Sequence, residues 1–355
     1  MRDRPFRGVA TLLSALVPAL LFLVPRAAMA AGPPVKVIFD TDMAGDVDDV
    51  GALAILHALA DLGEAEILAV GISSRNEDVG PCVDAINTWY GRPDIPIGYQ
   101  RGLQVGYPAD TGETITSKYA EAVRRSFPHR LARSSDAPDA ALLYREILAA
   151  QPDASVVIVS VGFLTNLRSL LDTPPDAISS ASGEELVRRK VRRWVCMGGK
   201  FPDGQFKDGE GEYNLRIDTR AAVRALSDWP TPVVFSGFEI GTRVFTGKGL
   251  RAAPETSPTR AAYLHFNGLE NRESWDQTAV LYAVRGAAGY WTESEPGLCL
   301  MHASLRAAYN EWIPTTRKAH RYLIEKMPPA DVARVIEDLM LRPPARPHPA
   351  AILPK

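Results

Sequence analysis

The stretch VIFDTDMAGDVDD, Val37 to Asp49, sets five aspartates (Asp40, Asp42, Asp46, Asp48, Asp49) within ten residues, directly after a β-branched apolar run. Carboxylates this close repel one another, and desolvating any of them is costly. A helix N-terminus, with its free N–H groups and positive dipole end, accounts for one or two of them. Five ask for more. Clustered oxygens suit a hard cation, and Ca²⁺ takes about six to eight oxygen ligands at about 2.3–2.6 Å. Asp48 and Asp49 are adjacent at the start of the expected helix, so both cannot aim at one ion. One can ligate while the other addresses a water or a substrate hydroxyl as general base. Asp40 and Asp42 sit two apart at the end of the expected strand and so point the same way. The plain alternative is helix capping with a solvated acidic turn, and the apolar flanks argue against it.

Three further segments have the same placement at element ends. VSVGFLTN offers the carbonyl of Val161 where a strand stops at Gly162, then a helix start at Thr165–Asn166. GEYNLRID carries Glu212 and Asn214 two apart, groups that bind hydroxyls from one side of an extended segment. ESWDQTAVLYAVRG puts Asp276 in the first turn of an apolar helix, where taken alone it is an ordinary cap.

The elements that must hold these residues are legible as runs. VKVIFDT, AEILAVGIS, DIPIGYQ, ASVVIVSVG, VRRWVCMGG and TPVVFSGFEI are strand-length and apolar without polar alternation, the pattern of strands buried on both faces. Amphipathic stretches such as VDDVGALAILHALADLG, CVDAINTWYG, DAALLYREILAA and LTNLRSLLDT lie between them. The alternation predicts an α/β fold: a doubly wound, mostly parallel sheet with helices on both faces, and ligands at the carboxyl ends of its strands. From about Arg251 the pattern turns mostly helical. Arg101 to Pro138 is polar and turn-rich and reads as a long loop beside the site. One domain is expected over 31–340, and the Pro-rich end, 341–355, reads as a disordered tail.

Residues 1–30 have a basic start, an apolar core and an A-x-A site (Ala28, Met29, Ala30), the signature of a secretory signal peptide cleaved after Ala30. Export to the periplasm or the medium is the expectation. Cleavage leaves 36 basic and 41 acidic residues in a chain with no basic block, which argues against nucleic-acid or anionic-membrane partners. Cys82, Cys196 and Cys299 share no metal-type spacing and read as small buried residues.

With these residues in view, FDTDMAGDVDDVGALAIL resembles the N-terminal signature of the inosine-uridine nucleoside hydrolase family. VSVGFLTN, MGGKF…GEYN and SWDQTAV follow in the family's order, so the resemblance spans roughly Val35 to Gly289. It implies the Rossmann-like fold of that family, and calcium-dependent hydrolysis of ribonucleosides to ribose and free base. It implies a Ca²⁺ held by Asp42, Asp49, Asp276 and the main-chain oxygen of Val161, with two ribose hydroxyls and a water. Asp48 would take the proton of that water. Asn76, in GISSRNED, would grip the ribose together with Glu212 and Asn214, while Asp40 would support the turn from behind. Partners implied are a small nucleoside or riboside and further copies of the chain, as a dimer or tetramer.

Three departures stand out against that pattern. DMAGDVDD is two residues longer than the common motif, and the extra carboxylate, Asp46, reads as a solvated loop charge or a supporting partner. Trp275 stands where many members have a His that protonates the leaving base. As a pocket wall it could stack on a purine, which would favour purine nucleosides; as a core residue it would simply cap the helix. The segment FPDGQFKDGEG lacks the family's usual Asn. Among six histidines His57 reads as packed, and His129 is the one candidate for a substitute acid. Two rivals remain: a non-catalytic or altered-substrate riboside-binding member of the same fold, and a haloacid-dehalogenase-type phosphatase suggested by Asp-x-Asp after a strand. The latter lacks the downstream acidic pair and leaves SWDQTAV unexplained.

Overall fold

A computed structural model describes residue 1 and residues 32–43, 45–102, 116–287, 289–304 and 307–346. In chain order the first elements are β1 (Val35–Thr41), α1 (Asp48–Asp61), β2 (Ala65–Ile72), α2 (Val79–Trp89), β3 (Ile97–Tyr99), α3 (Lys118–Ser126) and α4 (Ala140–Ala150). Next come β4 (Val156–Ser160), α5 (Thr165–Leu171), α6 (Gly183–Lys190), β5 (Val191–Met197), α7 (Tyr213–Ile217), α8 (Thr219–Asp228) and β6 (Val233–Ser236). The remainder comprises α9 (Phe238–Gly241), β7 (Phe245–Thr246), α10 (Pro258–Asn267), β8 (Arg272–Glu273), α11 (Trp275–Arg285), β9 (Trp291–Glu293), β10 (Gly297–Ala303), β11 (Ala308–Pro314), β12 (His320–Glu325) and α12 (Pro329–Met340).

The central sheet runs β11-β10-β12-β6-β5-β4-β1-β2-β3, with β9 added to β12. From β3 through β6 to β12 neighbours are parallel. The chain winds outward from β1 to β3, then restarts beside β1 at β4, which makes the gap between β1 and β4 the switch point where such sheets bind ligands. Strand β1 explains the layering. Val37 and Phe39 face one apolar cluster with α1, while Ile38 faces the other with α4 and α5. Both faces are covered, which is why the parallel strands read as unbroken apolar runs.

The C-terminal part differs from the expected helical pattern. After Arg251 it carries β8 to β12 as well as three helices, and β10 and β11 pair antiparallel at the sheet edge. Burial along β10 alternates, so the sequence GLCLMHA lacks the polar alternation that a half-exposed strand usually announces. Its Leu298, Leu300 and His302 sit on the less buried side.

Arg101–Pro138 is likewise not all loop. It contains α3, whose N-cap Ser117 accepts from the Ala120 N–H; residues 103–115 of it lie outside the described ones. So do residues 2–31, which take in the expected signal segment (1–30) except for residue 1, and the tail from residue 347 on. Residues 341–346 follow α12, and the Ala345 N–H donates to Asp61. No helix among the described residues is long and apolar enough to cross a membrane. Cys82, Cys196 and Cys299 are all buried free thiols.

Candidate active site

At the switch point a cavity of about 330 Å³ is lined by Asp42, Asp46, Asp48, Asp49, Val161, Glu212, Asn214, Trp275 and Asp276, with Arg272 and an aromatic wall. Four elements converge to build it. Asp42 follows β1, Val161 follows β4, and the N-termini of α1 and α11 supply Asp48, Asp49 and Asp276. Close approach of the first two is possible because residue 162 is glycine: a Cβ there would lie 2.3 Å from the Asp42 nitrogen. The turn after β1 is pinned by the Ser74 hydroxyl, which donates to the Asp42 carbonyl at 2.6 Å.

Within the cluster, one oxygen each of Asp48, Asp49 and Asp276 lies within 4.8 Å of the others. Asp49 Oδ1 accepts from the Thr41 hydroxyl and, at 3.0 Å, from the Met43 N–H. Asp48 Oδ2 accepts from the Asp276 N–H at 3.2 Å. Asp42, Asp48, Asp49 and Asp276 are at most 5% exposed. Burial pushes Asp48, Asp49 and Asp276 well above the usual carboxylate range, and mutual repulsion pushes them further. A set of buried carboxylates with a main-chain carbonyl beside it is the donor chemistry of a hard divalent cation, so these residues fit such an ion.

Asp40 parts company with Asp42. The strand ends at Thr41 and Met43 takes a positive φ of 42°, so Asp42 turns into the cavity. Asp40 stays in the strand and faces α4 and α5, accepting from Tyr144 at 2.5 Å and Asn166 at 2.8 Å. Its burial raises the carboxyl to about 7, against those two hydrogen bonds.

Glu212 and Asn214 reach the wall, though not from an extended segment. Glu212 is the N-cap of α7, and its carboxylate accepts from the N–H groups of Gly199, Asn214 and Leu215. Asn214 Nδ2 donates to the Val161 carbonyl at 3.1 Å and so links the two segments. Asn76 is buried but is not part of the wall; its Oδ1 accepts from the Asp78 N–H at the start of α2. Trp275 does line the cavity. Its ring packs on Phe238 with centroids 5.3 Å apart, and its indole N–H donates to the Phe238 carbonyl.

Of the two readings of Asp46, the structure excludes the solvated loop charge. Arg272 grips it with Nε and Nη2, at 2.9 Å and 2.5 Å to Oδ2. Its carbonyl also accepts from the Tyr119 hydroxyl of α3. Arg272, Phe206, Tyr213 and Phe238 are wall residues that sequence reasoning missed. The one available signal was local: Phe206 and Tyr213 bracket the Gly-rich run before Asn214, and Arg272 stands four residues before Asp276. His129 does not reach the wall, and both its ring nitrogens face backbone carbonyls, of Leu131 and Arg124. His57 is packed, stacked on Tyr90 and paired with Asn87.

The chain matches the family model described as inosine-uridine preferring nucleoside hydrolase over residues 37–327. Among solved structures it is similar to a plant nucleoside hydrolase, PpNRh1, at 20% identity and a TM-score of 0.62, covering 88% of this chain and 100% of that one. It is similar to an inosine-uridine preferring nucleoside hydrolase from Bacillus anthracis at 17% identity and a TM-score of 0.59, covering 86% and 98%. The effector protein XopQ, solved with adenosine diphosphate ribose, is 16% identical with a TM-score of 0.62, covering 90% and 95%. No curated protein matches the chain.

Proposed function

Because the chain belongs to the inosine-uridine preferring nucleoside hydrolase family, whose members hydrolyse N-glycosyl bonds, we propose that it is a calcium-dependent ribonucleoside hydrolase releasing ribose and free base. The observation that carries the reading is the convergence of Asp42, Asp48, Asp49 and Asp276 on one buried cavity at the switch point.

Asp42, Asp49, Asp276 and the Val161 carbonyl would hold the ion. The chemistry a bound Ca²⁺ supplies is a template for two ribose hydroxyls and a lowered pKa for a neighbouring water. The chain's own groups do the rest. As the C1′–N bond opens, positive charge grows on the ribosyl ring, and the ring of buried carboxylates favours it. Asp48 is the proposed acceptor of the attacking water's proton. Its oxygen shares the 4.8 Å cluster with Asp49 and Asp276, and Asp48→Asn is the variant that tests the assignment. Asn214, Glu212 and Asn76 are the proposed ribose-binding groups; of these, Asn76 finds least support, since it stands off the wall.

The flat base belongs against Phe206, Tyr213, Phe238 and Trp275, which is the basis for a purine preference. Export, from the N-terminal segment, and assembly into a dimer or tetramer complete the proposal. Reducing-sugar release over a panel of nucleosides, with and without chelator, tests it. Chelator-sensitive ribose release is the expected result. Binding without release would favour the riboside-binding alternative, motivated by Trp275 in place of an acid.

A further inference from the structure

Trp275 occupies the position from which an acid was expected to reach the leaving base, and an indole cannot supply that proton. The fold brings another group there. The Arg272 guanidinium lies over the Trp275 ring, 5.1 Å from its centroid, and 5.8 Å from Phe266. Among the described residues lining the cavity Arg272 is the one cation, beside six carboxylates.

Its orientation is fixed from two sides. Asp46 takes Nε and Nη2, and Glu273 takes Nη1 at 2.8 Å. Arg has five N–H donors; these contacts use three, which leaves one on Nη1 and one on Nη2. Asp46 is in turn locked, its carbonyl accepting from Tyr119 and its Oδ1 from the Val47 N–H at 2.7 Å. A third of the Arg272 side chain is exposed. A cation tied this firmly on a cavity wall is a preorganised electrostatic group.

We propose that Arg272 is a catalytic residue that stabilises the departing aglycone by hydrogen bonding, and that Asp46 is the positioning residue that aims it. This rests on the reading of the cavity as an N-ribosyl hydrolase site. As the C1′–N bond breaks, its electron pair passes to the base, and the free N–H groups of Arg272 hydrogen-bond to the base atom where that charge collects. Arg272 keeps its proton, since its guanidinium does not deprotonate at accessible pH. The water oxygen forms the new bond to C1′ and gives one proton to a cluster carboxylate, and the base takes its proton from solvent. Arg272 therefore assists aglycones that leave as basic anions with an accepting nitrogen or oxygen, and contributes little where the departing anion is already stable in water.

The test compares a nucleoside with 4-nitrophenyl β-D-ribofuranoside, whose phenolate departs without needing stabilisation of this kind. Arg272→Gln should lower kcat/KM for the nucleoside by about 10²-fold, the scale for losing one preorganised donor. The nucleoside-to-aryl-riboside rate ratio should fall by at least about tenfold. Asp46→Asn should move the same ratio in the same direction, and Arg272→Lys should restore part of it. Misfolding lowers both rates together and leaves the ratio alone. An unchanged ratio in folded Arg272→Gln overturns the role of Arg272. A wild-type protein that hydrolyses neither compound overturns the N-ribosyl reading, and with it this assignment.

Discussion

The backbone N–H of Asp276 donates to Oδ2 of Asp48 across 228 residues of sequence. Through that bond the first turns of α1 and α11 meet at the cavity, each bringing a positive dipole end to carboxylates that the other also serves. The arrangement offsets only part of the repulsion, because Asp42 and Asp49 are buried in the same place.

A divalent ion should therefore stabilise the fold as well as enable turnover. With EDTA, ribose release should stop and the melting temperature should fall, and added Ca²⁺ should restore both. An ion at 100 times its Kd contributes about 2.7 kcal/mol. Identical melting curves with chelator and with calcium would count against the metal site.

Substitutions within the cluster should separate into two kinds. Asp48→Asn should reduce kcat by about 10²–10⁴-fold, the range for a lost general base, while calcium affinity falls less than in Asp49→Asn or Asp276→Ala. Calorimetric titration with calcium and steady-state rates, measured side by side, check this. If Asp48→Asn retains full rate on every nucleoside, Asp48 is not the proton acceptor.

Gly162→Ala tests the close approach of β4 to the turn after β1. The new Cβ would press on the Asp42 nitrogen and its Cβ, at 2.3 Å and 2.8 Å before relaxation. Activity and calcium affinity should fall by more than tenfold, and stability by about 1–3 kcal/mol, as for overpacked sites. A variant with wild-type calcium affinity would show that the turn moves freely.

Acid stability should depend on His57. Burial lowers its pKa to about 3, with the neighbouring Arg92 adding to the effect, so the folded state holds it neutral while the unfolded chain protonates near 6.5. Between those values the unfolded state binds the extra proton. Stability is then complete above about pH 6.5 and drops as pH falls, by about 1.4 kcal/mol per pH unit for this one group. Denaturant midpoints from pH 7 to pH 5 should fall less steeply in His57→Gln than in the wild type. Parallel slopes would refute the assignment.

Much of the frame was legible. Strands β1, β2, β4, β5 and β6 could be read because burial on both faces demands unbroken apolar runs, and the aspartates could be read because no solvated turn needs five. Strand β10 was not legible as part of an antiparallel edge, since its exposure alternates while its composition does not. Within the site, Asp42, Asp48, Asp49, Val161, Glu212, Asn214, Trp275 and Asp276 did come together at one wall. Asn76 stayed behind it, because its side-chain oxygen accepts from the start of α2 and its carbonyl accepts from the Ser134 hydroxyl.

The sequence by itself determined which side chains exist to do chemistry and which apolar runs must be buried, since both are properties of local composition. The tertiary structure decided which carboxylates face one another. Asp40 and Asp42, two apart, separate because the strand ends between them and the chain turns. Asp46 and Arg272, far apart, pair bidentately because α3 and the strand before α11 close on the same turn. Electrostatic partnership falls off with distance in space and is blind to separation along the chain, so the fold had to be in hand before Asp46 had a role.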